Sequence, residues 1–403
     1  MKQLIALSCG LALAASGFAE SGKLTLDRAL ALARQNSPEL KAARANTLAA
    51  EKMVAATGRW KSPSLHFEAE GVGGDLDGFE ETEYTLALKQ TFERGGKRKN
   101  DRAVAQTSIG VAFEAEAEKE LELMTAVRLA FIEVAYQQEV GKVRVEQEQL
   151  ARAFVSVAAA RHAAGGSSEL EVVQAELALE EVLLSQTCCF GDLLAARVRL
   201  ASLIGWPENE VDEVEAAYYE LENPADSTLA ESHPALRRVD ALIAVSEARA
   251  AAAKSKDAAD ITLGAGYKYE AAGDVNTLVF GASMPLNFVR AGQAEQAATL
   301  VRADALRAER AEVRRTYQRR LSTLAAQYAG AKLEAEMTRD KLAPKAEKAY
   351  ELSKAGYEAG RFSWIELIAS QQHLAEIRAR QIEALRDAHV ARAELTKFLN
   401  EGR

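Results

Sequence analysis

The chain has 403 residues and a formal charge of −9, is rich in Ala, Glu, Leu, Arg and Lys, and contains only 7 prolines. That composition belongs to long or coiled helices, and the acidic balance argues against a nucleic-acid partner, whose phosphates call for clustered Lys and Arg. Three cysteines, one in the leader (Cys9) and two adjacent in helical context (Cys188, Cys189), exclude a disulfide framework.

Residues 1–19 read as an export signal: Lys2 at the start, an apolar stretch Leu4 to Ala15, and Gly17, Phe18 and Ala19 as a small-residue cleavage site. Cleavage near Ala19 leaves a mature chain from Glu20. Cys9 follows Ala6, Leu7 and Ser8, without the Leu usual three residues before a lipidated cysteine, so no lipid anchor is expected. No later run of about 18 apolar residues offers a spanning helix.

The remainder repeats itself at an offset of roughly 195 residues. The first repeat, 20–204, reads as a helix near 24–58, strands near 64–72 and 83–92, a very long helix near 97–162 and a return helix near 168–204. A linker with Pro207 and Pro224 covers 205–228. The second repeat, 229–403, follows the same order, with helices near 228–258, 292–357 and 363–399 and strands near 261–270 and 276–286. Asn36-Ser37-Pro38-Glu39-Leu40 answers to Ser232-His233-Pro234-Ala235-Leu236, and His162 to Gly165 answers to Tyr357 to Gly360. A long helix of about 66 residues spans roughly 100 Å. The two shorter helices of each repeat sum to that length, so they are expected to stack end to end along it as a rod. A seam of Leu321, Leu324, Tyr328, Ala331 and Ala335 fits such packing.

The strands alternate. Leu65, Phe67 and Ala69 oppose His66, Glu68 and Glu70; Tyr84, Leu86, Leu88 and Phe92 oppose Glu83, Thr85, Lys89 and Thr91; Tyr267 and Tyr269 oppose Lys268 and Glu270; Leu278 and Phe280 oppose Thr277 and Gly281. About 9–11 residues with one apolar and one polar face is the pattern of a membrane barrel, which must close to pair its backbone. Four strands cannot close; two chains would give a filled eight-stranded barrel, three a twelve-stranded one with a lumen. On this reading His66, Glu68, Glu70, Lys89, Lys268 and Glu270 are candidate lumen residues. The other reading is two amphipathic hairpins covering a soluble helical core. The export signal and the aromatic residues Trp60, Tyr84, Phe92, Tyr267 and Tyr269 near strand ends favour the membrane.

Other motifs carry no chemistry. Gly95-Gly96-Lys97-Arg98 lacks the Ser or Thr of a phosphate loop and reads as a strand-to-helix turn near headgroups. Asp75-Leu76-Asp77-Gly78 has its Gly too early for a calcium loop and reads as a surface turn. Cys188 and Cys189 have no His or further Cys at ligand spacing. The five histidines are scattered, and no catalytic motif is present, so neither enzyme activity nor a cofactor is expected.

The duplicated order of elements, the opening Ala29-Leu30-Ala31-Leu32-Ala33 with Asn36 to Leu40, the Gly turns, and an acid six positions after each (Glu171 after Gly165, Glu366 after Gly360) resemble the TolC-like outer-membrane factor family. Gln90 to Arg98 is most similar to its heavy-metal branch. The resemblance implies a homotrimer with a twelve-stranded outer-membrane barrel and a helical periplasmic tunnel, engaging a periplasmic adaptor and an inner-membrane pump of RND type. It places Gly165, Ser167, Ser168, Gly360 and Ser363 at the adaptor-facing tips and makes Glu169, Glu171 and Glu366 candidates for a periplasmic constriction. The same glycines serve tight helix turns, and the same acids suit helix N-termini, whether or not a partner binds. The chain ends soon after its last helix, short of longer family members. Two other functions fit the helices: a type I protein-secretion duct, and a periplasmic coiled-coil scaffold, which leaves the strands without purpose. The duplication argues against an adaptor.

Overall fold

The structure is a computed structural model that describes residues 23–72, 82–207, 211, 213–221, 229–286 and 290–399. The leader, Cys9 and the Asp75 to Gly78 turn lie outside them.

Pro38 decides how the first helical stretch is built. Its ring removes a backbone donor and restricts the residue before it, so the single helix expected over 24–58 is two, α1 (Leu26–Asn36) and α2 (Pro38–Ala56). Ser37 caps the second by accepting the Leu40 N–H at 3.3 Å. The second repeat solves the same problem with a ring nitrogen: His233 Nδ1 accepts the Ala235 N–H at 3.2 Å, and Pro234 opens α5 (Pro234–Ser255).

The long helix of the first repeat, α3 (Lys97–Ala163), runs unbroken for 67 residues, about 100 Å at 1.5 Å per residue. Its counterpart does not. α6 (Ala291–Met337) passes through a π turn, Thr338–Leu342, into α7 (Ala343–Glu358), where one helix over 292–357 was expected. Pro344 has no N–H for the carbonyl four residues back, and the wider turn absorbs the missing bond. The return helices are α4 (Glu169–Ile204) and α8 (Trp364–Thr396).

The shorter helices abut without a joining loop. Asn36 Nδ2 donates to the Ile204 carbonyl at 3.0 Å, tying the end of α4 to the α1–α2 break. In the second repeat the Ala230 N–H donates to the Phe398 carbonyl at 3.3 Å, and the His233 ring stacks on Phe398 at 5.9 Å. Along α3, Glu114, Glu116, Glu118 and Glu120 alternate as a strand would, yet at 100° per residue every second one changes sides. Glu114 and Glu118 pair with Arg237 and Arg238 of α5 at 2.9 and 3.2 Å, while Glu116 and Glu120 reach Arg44 and Arg34 at 3.6 and 2.7 Å. One acidic run thus ties α3 to both flanking layers.

The described residues of the 205–228 linker lie on the rod: β4 (Val214–Glu215) pairs in parallel with β1 (Leu24–Thr25), and the Tyr218 hydroxyl donates to the Ile382 carbonyl at 2.7 Å. His389 Nε2 donates to the Tyr218 carbonyl at 2.8 Å; burial pushes the His389 pKa down and Arg392 adds to it, outweighing the bond to Tyr218, which favours the charged ring. A depressed folded pKa means that the stability gained by burying the neutral ring is fully present above the ordinary histidine value and is lost as the pH falls through the folded value. Hydrogen-exchange protection of residues 213–221, corrected for intrinsic exchange, is therefore expected to fall as the pH drops below the ordinary histidine value, and to lose that dependence in His389→Gln.

The strands form one antiparallel sheet in the order β2 (Ser64–Glu70), β3 (Glu83–Phe92), β5 (Ile261–Glu270), β6 (Val275–Ser283). The outer two are shorter than the 64–72 and 276–286 expected. Gly71 leaves the ladder with φ 74°, and Pro285 cannot donate to one.

Candidate functional site

Register decides what the sheet can do. Leu65 faces Leu88, Leu88 faces Ala265, and Ala265 faces Phe280; the next apolar row runs Phe67, Leu86, Tyr267, Leu278. All four apolar faces therefore coincide, and none of the described residues covers them: Leu65 is 71% exposed, Leu278 74% and Phe280 78%.

The opposite face carries all six candidate lumen residues. Glu70 and Glu270 flank Glu83 in the row nearest the hairpin loops, and Glu68, Thr85 and Lys268 form the next. Lys268 pairs with Glu83. His66 Nε2 lies 3.3 Å from Glu68 Oε2, and Lys89 sits opposite Ser64. Glu83 belongs to this set although sequence reasoning left it out; its place opposite Glu70 required the register. On this face β5 packs closely against β3, since a Cβ on Gly266 would lie 2.7 Å from the Ala87 Cβ and one on Gly264 3.2 Å from Lys89 Cγ.

About 100 Å away, the two hairpin tips use one turn. Gly165 and Gly360 take φ 73° and 69°. The Gly166 N–H reaches back to the Arg161 carbonyl at 2.8 Å and the Arg361 N–H to the Gly356 carbonyl at 2.8 Å, which closes the last helical turn with a left-handed residue. A Cβ on either glycine meets nothing within 4 Å, so backbone conformation alone selects glycine there.

The equivalent acids have different work. Glu366 closes a capping box: its Oε2 accepts the Ser363 N–H at 2.7 Å and the Ser363 hydroxyl at 2.9 Å, and these bonds hold its carboxyl below the usual range. Glu171 accepts the Tyr357 hydroxyl at 3.4 Å. Glu169 is exposed in the first turn of α4 and makes no bond among the described residues. Ser168 caps α4 by position only, while Ser167 turns inward, its hydroxyl donating to the Ala158 carbonyl at 3.4 Å.

Between the tips lies a clamp that sequence reasoning missed. Arg161 of α3 stacks 4.2 Å above the ring of Tyr357 of α7 and donates to the Tyr357 carbonyl at 2.8 Å. Tyr357 is buried against Trp364, which Phe154 meets edge-on at 5.8 Å. The only signal was the unequal pair His162 and Tyr357 at matching repeat positions.

A family model described as outer membrane efflux protein matches the chain twice, over residues 29–206 and 226–401. The chain belongs to the outer membrane efflux protein family. Its relatives include the cobalt-zinc-cadmium resistance protein CzcC of Cupriavidus metallidurans, 24% identical over 94% of this chain and 90% of CzcC. Among solved structures it is similar to CusC, described as forming a transmembrane channel (TM-score 0.78, 16% identity, 94% of this chain and 92% of that one). It is also similar to the outer-membrane channel OprN (TM-score 0.76, 15% identity, 94% and 90%) and to the outer membrane protein VceC of Vibrio cholerae (TM-score 0.75, 15% identity, 92% and 95%). The fold is that of TolC-like channels, and an efflux exit duct is the function that the family carries. In this efflux protein Cys188 and Cys189 are free on α4, the first exposed and the second half-buried. No cluster of metal-ligating side chains occurs among the described residues.

Proposed function

We propose that this efflux protein is one of three subunits of a passive exit duct for heavy-metal ions. The observation that carries the duct is the single sheet with one exposed apolar face and one polar face. Three such sheets, β6 of one subunit beside β2 of the next, close a twelve-stranded barrel whose apolar side meets lipid and whose polar side holds His66, Glu68, Glu70, Glu83, Lys89, Lys268 and Glu270 around the lumen. The exposed α4 stripe of Leu170, Val173, Leu177 and Leu184 recurs at spacings of 3, 4 and 7, and a neighbouring subunit's helix covers it.

The first repeat spans 20–204 and the second 229–403, behind a signal cleaved near Ala19 with no lipid anchor. Gly165, Ser167, Ser168, Gly360 and Ser363 face a periplasmic adaptor, which couples the duct to an inner-membrane pump of RND type. Glu169, Glu171 and Glu366 ring the closed tip, Glu169 with the freest carboxylate. Cargo is read from the likeness to CzcC; the duct conducts it without a chemical step. Deleting the gene is expected to raise sensitivity to cobalt, zinc or cadmium, with the purified trimer conducting in planar bilayers. Unchanged tolerance to all three metals would remove the cargo reading, and a non-conducting monomer the duct itself.

A further inference from the structure

The apolar face of β3 ends at Phe92, beside the turn that leads into α3. Trp60 meets Phe92 edge-on with centroids 5.8 Å apart, and the Arg98 guanidinium lies 3.6 Å above the indole. Gly58 makes this stack possible. It takes φ 71°, and a Cβ there would lie 2.7 Å from the Arg98 carbonyl oxygen, so only glycine lets the Gly58-Arg59-Trp60 segment lie against the first turn of α3. Phe92, Trp60 and Arg98 thus form a continuous path from an apolar wall, through an amphipathic ring, to a cation.

A stacked guanidinium uses its face and leaves its N–H edge free. The Arg98 side chain makes no hydrogen bond or ion pair among the described residues, and neither do those of exposed Arg94, Lys99 and Arg102. Two other cations of the junction are already neutralised: Lys97 Nζ lies 2.6 Å from Asp260, and Lys61 3.3 Å from Glu93 and 3.4 Å from Asp260. The remaining positive charge stands out in a chain of net charge −9.

The second repeat shows that the turn itself does not need this charge. There the long helix opens with Ala291-Gly292-Gln293-Ala294-Glu295, and the Gly292 N–H is held by Asp257 Oδ1 at 2.8 Å. The same junction is built with an acid and no basic cluster, so the cations of the first repeat are free for another purpose.

We propose that the Trp60–Arg98 junction is a docking site for an anionic phospholipid of the periplasmic leaflet, its phosphate held by the in-plane edge of Arg98 with Arg94, Lys99 and Arg102 around it. This rests on the barrel-wall reading of the sheet, which puts Phe92 at the hydrocarbon boundary and Trp60 at headgroup depth, where amphipathic rings settle. A phosphodiester offers two oxygens that match the guanidinium fork, and its acyl chains continue onto the apolar face beyond Phe92.

The test reconstitutes the full-length trimer into phosphatidylethanolamine vesicles containing a minor fraction of phosphatidylglycerol. Conductance is recorded, and the lipid retained after mild extraction is counted by native mass spectrometry. Wild type is expected to be enriched in phosphatidylglycerol, and Arg98→Gln to retain about five-fold less. Arg98→Lys should recover that only in part, because an ammonium lacks the planar fork. Arg319→Gln, exposed far along α6, should behave as wild type. Equal retention by wild type and Arg98→Gln, or an equal loss in Arg319→Gln, overturns the site. A wild type that inserts and conducts but selects no phosphatidylglycerol overturns the site and leaves the duct standing. One that neither inserts nor conducts overturns both.

Discussion

Leu88→Arg is expected to abolish assembly in the outer membrane, while Thr85→Arg on the same strand assembles. Leu88 lies near the middle of β3, between Leu65 and Ala265, on the face whose side chains all four strands share. It is 55% exposed in the single chain, and an arginine there fits sterically. The penalty comes from the surroundings: at the midplane of a barrel's lipid face an arginine costs about 2–4 kcal/mol, and in the proposed trimer each subunit carries one. Thr85 lies between Glu68 and Lys268 on the polar side, where an arginine stays in water. Fractionation of outer membranes followed by trimer gels separates the two. Equal assembly of both variants would mean that the apolar face does not meet lipid, and the hairpins would return to being a cover for a helical core.

Arg161→Ala is expected to raise the open fraction of the purified duct in planar bilayers without adaptor. Arg161 joins the two hairpin tips through a stack on Tyr357 and a hydrogen bond to its carbonyl. Together these are worth about 1–2 kcal/mol at a half-exposed position, which moves a two-state closure by a factor of roughly 5–30. Arg161→Lys keeps the charge, loses the planar stack and should fall between. Tyr357→Phe removes only the hydroxyl that Glu171 accepts and should change conductance least. Conductance unchanged by Arg161→Ala would place closure elsewhere, in contacts between subunits.

The tip acids illustrate how equivalent sequence positions part company. Glu171 and Glu366 each stand six residues after a left-handed glycine, and the repeat made them look alike. Ser363 captures Glu366 in a capping box, whereas the α4 cap at Ser168 makes no side-chain bond, leaving Glu171 to Tyr357. A carboxylate committed to its own helix terminus is a poorer constriction than one facing open water, and only Glu169 has that freedom.

Much of the fold is local and so was legible in the residues. A period of two marks the strands, heptad seams mark the long helices, and Gly165 and Gly360 mark turns that need positive φ; each is written within a few neighbouring positions. Duplication is equally plain, because it needs only a comparison of the chain with itself. The interruption of the second long helix was carried by Pro344, which lay deep inside the helix expected over 292–357 and went unread; the structure shows the turn before it widened into a π turn.

The sequence by itself determined that this protein is a two-fold repeat of rod-length helices with strands that cannot close alone. Only the tertiary structure decided that the four apolar faces coincide, that Arg161 clamps Tyr357, and that Arg98 stacks on Trp60. Those facts join residues as far apart as Leu65 and Phe280 or Arg161 and Tyr357. Strand register and helix contact fix them, and periodicity along one segment carries no information about its partner.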